Sequence, residues 1–398
     1  MKRPKQRKKN PLPKIITIIL ALGLGATSSI AILRYLNFKT LTPATALYKL
    51  PETTITYDDL PYPDFGPAAI AIDGKPLTKS GESIPRPIAS TAKIILALSI
   101  IKNAPIGEDG GEPLTITAKD VELYNWYAAH NGSNSKVTLG GKLTIYEALE
   151  AVLLKSSNNL ADSLAIKAFG SLENYKEYAE KMLESLGIKN TEIGPDASGY
   201  SALTTSTAED LALLGYHLLK EPVLAEIVAK KSATIPMAGE ILNTNTLLDG
   251  EIIGIKTGTA PEAGSVFVLG SKSSEKIITI AVMNAKTQDE AQSAAKSLLT
   301  EFNKKLKTVE LVKKGDLIGV YRPSWTEETV EIIAAESLSL PIWPGEKPEA
   351  VLEATAINLN EFGKVGNLKI IIGETTYMVP IKTEQELPKP SLLKKILR

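Results

Sequence analysis

Pro85-Arg86-Pro87-Ile88-Ala89-Ser90-Thr91-Ala92-Lys93, running directly into the apolar stretch Ile94 to Ile101, is the segment from which the rest of the chain can be placed. It predicts a helix beginning near Ser90: the prolines stiffen the approach and cannot sit inside a helix, and serine is a capping residue type. A spacing of three puts Ser90 and Lys93 one turn apart on the same face, so an amine can reach the hydroxyl and take its proton. Backbone N–H groups and the positive end of the helix dipole gather at the same point, where a developing oxyanion is stabilised. The following turns are apolar nearly all round, so the helix is expected to be buried and to hold the pair still.

Ser-x-x-Lys alone says little, because it also starts at Ser99, Ser133, Ser273, Ser293 and Ser391. Two later segments separate Ser90 from the others. Thr144 with Glu147 reads as a capping box, and Ala148, Leu149, Val152 and Leu153 make the apolar stripe of a helix that Lys155-Ser156-Ser157-Asn158 then interrupts. Further on, the β-branched run Ile252-Ile253-Gly254-Ile255-Lys256-Thr257-Gly258-Thr259 predicts a strand carrying Lys256 and Thr257 close to its end. Lys-Thr-Gly occurs once in the chain and Ser-x-Asn only within Ser156 to Asn159, so the ordered set is far more specific than its parts.

The roles fit together chemically. Desolvation and a second cation, Lys256, would lower the pKa of Lys93 far enough for it to act as a base toward Ser90. Ser156 can relay a proton, and Asn158 offers a donor and an acceptor to orient Lys93 and a substrate amide. Lys256 with Thr257 can hold a carboxylate, with Gly258 and Thr259 completing that edge, and the amides of Ser90 and Thr259 are candidates for an oxyanion hole. Each segment alone is as well explained as a helix cap or an ordinary strand end.

Composition narrows the alternatives. The 398 residues suffice for two or three domains, and 45 basic residues against 45 acidic ones leave no global field that would draw the chain to nucleic acid. Cysteine is absent, which excludes disulfides and thiol chemistry. Only His130 and His217 are present, which argues against a histidine triad or a multi-histidine metal site, and no cofactor is expected.

Residues 1–36 read as a basic N-terminus and a membrane anchor. Lys2, Arg3, Lys5, Arg7, Lys8, Lys9 and Lys14 precede an uncharged, mostly apolar run from Ile15 to Leu33. As a helix rising ~1.5 Å per residue, that run approaches the ~30 Å hydrocarbon core, with the basic flank cytoplasmic. The expectation is a single-pass protein of the cell membrane with its catalytic domain extracytoplasmic. A cleaved signal peptide, with Ser29-Ile30-Ala31 as a loose cleavage site, is the alternative.

Residues 37–60 read as a linker, 61–306 as the main domain, 307–385 as a small β domain and 386–398 as a tail. In the main domain, Ala68 to Ile72 predicts a strand turning at Asp73-Gly74, and Ser265 to Gly270 with Lys276 to Val282 predict a hairpin. Thr287-Gln288-Asp289-Glu290 reads as a second capping box, opening a helix with Ala291, Ala294, Ala295, Leu298, Leu299 and Phe302 on one face. Trp325 and Trp343 read as packing residues, and the tail as either a short amphipathic helix or solvated chain.

Pro87 to Lys93, Leu153 to Asn158, Ser206 to Ala212, and Asn243 to Leu248 leading to Gly254-Ile255-Lys256-Thr257-Gly258 resemble the low-molecular-mass penicillin-binding proteins, specifically the serine D-Ala-D-Ala carboxypeptidases of the S11 peptidase type. The resemblance spans roughly residues 61 to 305. It implies an α/β (α+β) fold, an antiparallel sheet between helical layers, followed by a small all-β domain. It also implies the activity: Ser90 would form an acyl-enzyme at the penultimate D-alanine of a peptidoglycan stem peptide and release the terminal one, and β-lactams would trap the same serine. Ser157 stands where the family commonly has glycine. Thr259-Ala260 after Gly258 looks more like transpeptidases, so a transpeptidase or endopeptidase on the same scaffold is the alternative, with a non-catalytic β-lactam sensor or cell-wall binding protein as the rival from another class. No Glu-x-x-x-Asn segment lies between Ser156 and Lys256, which argues against a β-lactamase.

Overall fold

The computed structural model describes residues 26–52, 57, 59–107, 110–273, 276–306, 308–343, 346–373 and 375–397. The chain divides into two compact units, Ile55–Lys305 and a second made of Met1–Thr54 with Leu306–Arg398.

The first unit is built on a five-stranded antiparallel sheet in the order Ile252–Ala260, Gly264–Ser273, Lys276–Ala285, Ala68–Ile72, Lys75–Ser80. Side chains alternate across a strand, and here both sets are apolar. Ala69, Ala71, Val266, Val268, Ala281 and Met283 join one core with the helices Lys93–Asn103, Ile145–Leu153 and Ala208–Lys220. Ile70, Phe267, Leu269, Ile280 and Val282, of opposite parity, are just as buried. That face is covered by the helix Gln288–Lys305, whose buried positions are Ala291, Gln292, Ala295, Leu298, Leu299 and Phe302. The sheet therefore lies between helical layers, in the α/β arrangement that the sequence leads one to expect.

Local signals behave as their chemistry requires. Thr144 and Glu147 form a reciprocal capping box: the Glu147 carboxylate accepts from Thr144 N–H at 2.7 Å, and Glu147 N–H donates to the Thr144 hydroxyl at 3.1 Å. At the second predicted box only half forms. Glu290 N–H donates to Thr287 Oγ1 at 3.2 Å, but the Glu290 carboxylate accepts from Lys286 N–H at 2.6 Å.

In the second unit a six-stranded antiparallel sheet runs in the order Ala44–Ala46, Leu317–Tyr321, Val330–Ala334, Thr375–Thr383, Gly363–Ile372, Glu349–Ala354. Thr42, just before one edge strand, pairs with Ile357, just after the other, so the sheet is nearly closed into a barrel. Part of the stretch read as linker is thus built into this unit, because Ala44–Ala46 supplies an edge strand and Tyr48 N–H donates to Ile318 O at 3.0 Å. Trp325 is buried, packs against Phe38 and donates its indole N–H to Pro388 O at 2.8 Å. Leu392–Leu397 is a short helix with no buried residue.

The membrane helix expected over Ile15 to Leu33 is corrected here. Residues 1–25 lie outside the described residues, and among the described residues no helix is long and apolar enough to cross a membrane. The single-pass location in the cell membrane, the extracytoplasmic placement that rested on it, and the membrane as a partner through an N-terminal helix are corrected with it.

Candidate active site

The segment expected to be capped by Ser90 begins instead with a 3₁₀ turn, Ala89–Ala92, that runs into the helix Lys93–Asn103. Ala89 takes a left-handed φ of 47°, and the Thr91 hydroxyl closes the turn by donating to Ile88 O at 2.6 Å. The Ser90 hydroxyl is therefore not used as a cap. It lies 2.9 Å from Lys93 Nζ.

Lys93 is fully buried and has two further partners, Asn158 Oδ1 at 2.6 Å and Ser198 O at 2.7 Å. Burial pushes its pKa down to about 7, against a smaller upward pull from Asp196 and Asp162. Both oxygen partners accept and neither can donate at that contact. A neutral amine has two protons and one lone pair, so the two acceptors take the protons and the lone pair is left facing Ser90 Oγ. That is the geometry of a general base aimed at a nucleophile.

Ser198 and its neighbours were not found from the sequence. The Asp196 carboxylate accepts from the N–H groups of Ser198, Tyr200 and Ser201 at 2.9, 3.0 and 2.9 Å, and from the Ser198 hydroxyl at 2.7 Å, which ties the loop into one shape. Gly199, at a φ of 70°, presses that loop on the nucleophile turn: a β-carbon there would lie 2.0 Å from Ala89 O. The only sequence signal is the turn-forming Asp196-Ala197-Ser198-Gly199, and nothing in it announces that a backbone carbonyl will face Lys93.

The second motif sits where the helix Ile145–Leu153 ends and Asn158–Phe169 begins. Asn158 N–H donates to Ser133 O at 2.8 Å, and its Oδ1 is committed to Lys93, so its Nδ2 is the donor left for a ligand. Ser156 is buried at a left-handed φ of 69° and is not among the hydrogen-bond partners of Lys93. Ser157 is fully buried. Its hydroxyl donates to Asn159 Oδ1 at 2.8 Å, and Asn159 in turn accepts from Ser135 N–H and donates to Ser135 O, both at 3.0 Å. The serine in place of glycine therefore points into a loop-holding network and does not crowd the cleft.

The third motif lies on the strand Ile252–Ala260. Lys256 is buried, donates to Thr257 O at 2.9 Å, and has its pKa held well below the usual lysine range, first by burial and then by the nearby Lys93 charge. The Thr257 hydroxyl lies 2.6 Å from Thr244 Oγ1. Gly258 passes so close to the nucleophile turn that a β-carbon on it would sit 2.9 Å from Ser90 N and 3.0 Å from Thr91 N. Thr259 accepts at its hydroxyl from Gln288 Nε2 at 2.8 Å, and the same amide donates to Gly258 O at 2.5 Å. Gln288 is a second group that sequence reasoning used only as part of a helix start.

The structure thus brings Ser90, Lys93 and Asn158 into direct contact and runs Lys256 to Thr259 alongside. The sequence model of the D-alanyl-D-alanine carboxypeptidase family, Peptidase S11, matches residues 67–287. The chain belongs to this family. D-alanyl-D-alanine carboxypeptidase DacA of Escherichia coli K12 is 24% identical over 340 residues, which cover 81% of this chain and 83% of that one. Among solved structures, penicillin binding protein 5 from Haemophilus influenzae aligns with a TM-score of 0.58 at 19% identity, over 84% of this chain and 99% of its own. The Streptomyces K15 DD-transpeptidase aligns at 0.54 and 22%, over 62% and 98%. At these identities the two structures show the shared fold. Membership makes the chain a penicillin-binding-protein-type serine hydrolase acting on peptidoglycan peptides.

Proposed function

We propose that the chain is a serine D-Ala-D-Ala carboxypeptidase that trims the terminal D-alanine from peptidoglycan stem pentapeptides. The observation that carries this reading is the Lys93 amine, 2.9 Å from Ser90 Oγ with both of its protons directed elsewhere. Lys93 takes the Ser90 proton as Oγ attacks the carbonyl carbon of the penultimate D-alanine. The oxyanion forms between the amides of Ser90 and Thr259, the C–N bond breaks, and Lys93 returns the proton to the departing D-alanine amine. Water, deprotonated by the same amine, then cleaves the Ser90 ester and frees the shortened peptide. Asn158 Nδ2 holds the substrate amide, Lys256 and Thr257 hold the terminal carboxylate across Gly258, and Ser156 relays protons. β-Lactams present a carbonyl and a carboxylate to the same groups and acylate Ser90.

The family name matched and the DacA relative both speak for water as acceptor. The test is to incubate the protein with a pentapeptide ending in D-Ala-D-Ala, with and without a D-amino acid as amine acceptor, and to follow free D-alanine and product masses. Release of one D-alanine per peptide, lost in Ser90→Ala, is the expected result. Amine adducts as the main product would reassign the chain as a transpeptidase. A stable β-lactam adduct with no peptide turnover would make it a sensor.

A further inference from the structure

Behind Lys93 lies a chain of buried oxygens that the catalytic motifs do not include. Asp162 sits one turn after Asn158 on the helix Asn158–Phe169 and is 3% exposed. Its Oδ2 is 2.7 Å from the Tyr127 hydroxyl, Tyr127 Oη is 3.1 Å from Ser198 Oγ, and Ser198 Oγ is 2.7 Å from Asp196 Oδ1. The other Asp162 oxygen accepts Ala197 N–H at 3.0 Å. Ser198 is the residue whose carbonyl holds Lys93.

The protons in this chain do not balance when both carboxylates are ionised. There are three oxygen–oxygen contacts and only two hydroxyl protons, one on Tyr127 and one on Ser198. With both carboxylates ionised Tyr127 donates to Asp162 and Ser198 to Asp196; a third proton on Asp162 would complete the chain, letting Asp162 donate to Tyr127 and Tyr127 to Ser198. Burial raises the Asp162 carboxyl to about 6, with the Tyr127 hydrogen bond pulling it back and Asp196 adding to the rise, so this proton arrives just below neutrality. Asp162 also lines a surface cavity of about 370 Å³ with Lys119, Glu122, Leu123, Trp126 and Tyr127, which gives the proton a route from solvent.

We propose that Asp162 is a positioning residue for the active site, fixing the Ser198 carbonyl through Tyr127 and setting by its charge the pH range in which Lys93 is a free amine. The ionised carboxylate favours the Lys93 ammonium, and its protonation removes that pull. The other titratable groups facing this interior are Asp196 from the loop, Lys256 from the strand, Tyr127 from the helix Ala118–Ala129 and Tyr175 from the helix Leu172–Ser185. At the cavity mouth Lys119 and Glu122 pair with each other at 3.5 Å.

The inference rests on the reading of Ser90 and Lys93 as nucleophile and base, and the test separates the two. The rate at which a fluorescent penicillin acylates Ser90 is measured from about pH 5 to about pH 9 in the full chain and in Asp162→Asn. Asparagine is isosteric and never charged, and its Nδ2 supplies the donor that completes the hydrogen-bond chain. The expected result is that the acid limb moves to lower pH by about one unit, the size of shift that a nearby charge commonly causes. Asp162→Ser, also uncharged, is the second variant if Asp162→Asn lacks a cooperative melt. A limb that stays in place in a folded variant, whether the rate is unchanged or uniformly reduced, would overturn the inference alone. No acylation of the unmodified protein would overturn the reading beneath it.

Discussion

Gly258 and Ser90 are packed backbone to backbone: a β-carbon added to Gly258 would lie 2.9 Å from the Ser90 amide nitrogen. The contact sets the width of the gap between the strand edge and the nucleophile turn, which is the width a substrate carbonyl must fit. Gly258→Ala is therefore expected to force the strand outward by a few tenths of an ångström and to slow Ser90 acylation by about 10-fold, since a displacement of about 1 Å costs about 10²-fold in a positioned site. The fall should appear in the acylation rate with little change in melting temperature.

Lys93 acts through its lone pair, which a guanidinium lacks at any working pH. Lys93→Arg puts a permanent cation there at nearly the same length, and is expected to lower peptide turnover by about 10²–10⁴-fold, the range for loss of a general base. Retention of half the activity would show that a cation, not a base, is needed at this position.

The pKa of Lys93 is pushed from 10.5 down to about 7 in the folded protein. The folded state then binds fewer protons than the unfolded one between those two values, so the slope of unfolding free energy against pH is positive there. The penalty of the buried amine is full below about pH 7 and gone above about 10.5. Lys93→Met, which never titrates, should therefore be more stable than the parent near neutrality, with the gap closing as pH rises. Melting temperatures at about pH 7 and about pH 9.5 check this, and a gap that widens with pH contradicts it.

Ser157 is turned away from the cleft, its hydroxyl given to Asn159. Ser157→Gly is expected to leave acylation and turnover within about twofold and to cost about 1–2 kcal/mol of stability, from one lost buried hydrogen bond and a freer backbone. A large gain in rate would mean that the serine does crowd the site.

Much of this site can be read from the chain because its side chains obey local rules. Ser90 and Lys93 meet because three residues make about one turn, and Lys256 to Thr259 lie on the strand that their β-branched approach predicts. What stays hidden works through backbone or through distance. Ser198 contributes a carbonyl, which every residue has, and Asp162 and Tyr127 come together from segments 35 residues apart. Ser90 reads as a cap because serine favours caps, but the left-handed Ala89 and the Thr91–Ile88 bond close the turn without it. Ala44–Ala46 reads as linker because three residues carry no period, and only the edge of a distant sheet makes them a strand.

The most direct measurement is to treat the full chain with benzylpenicillin, digest it, and locate the adduct by mass spectrometry. The predicted result is a single penicilloyl group on the peptide containing Ser90, absent from Ser90→Ala and formed far more slowly in Lys93→Arg. An adduct on any other serine, or none at all in a protein with a cooperative melt, would contradict the assignment of Ser90 as the nucleophile.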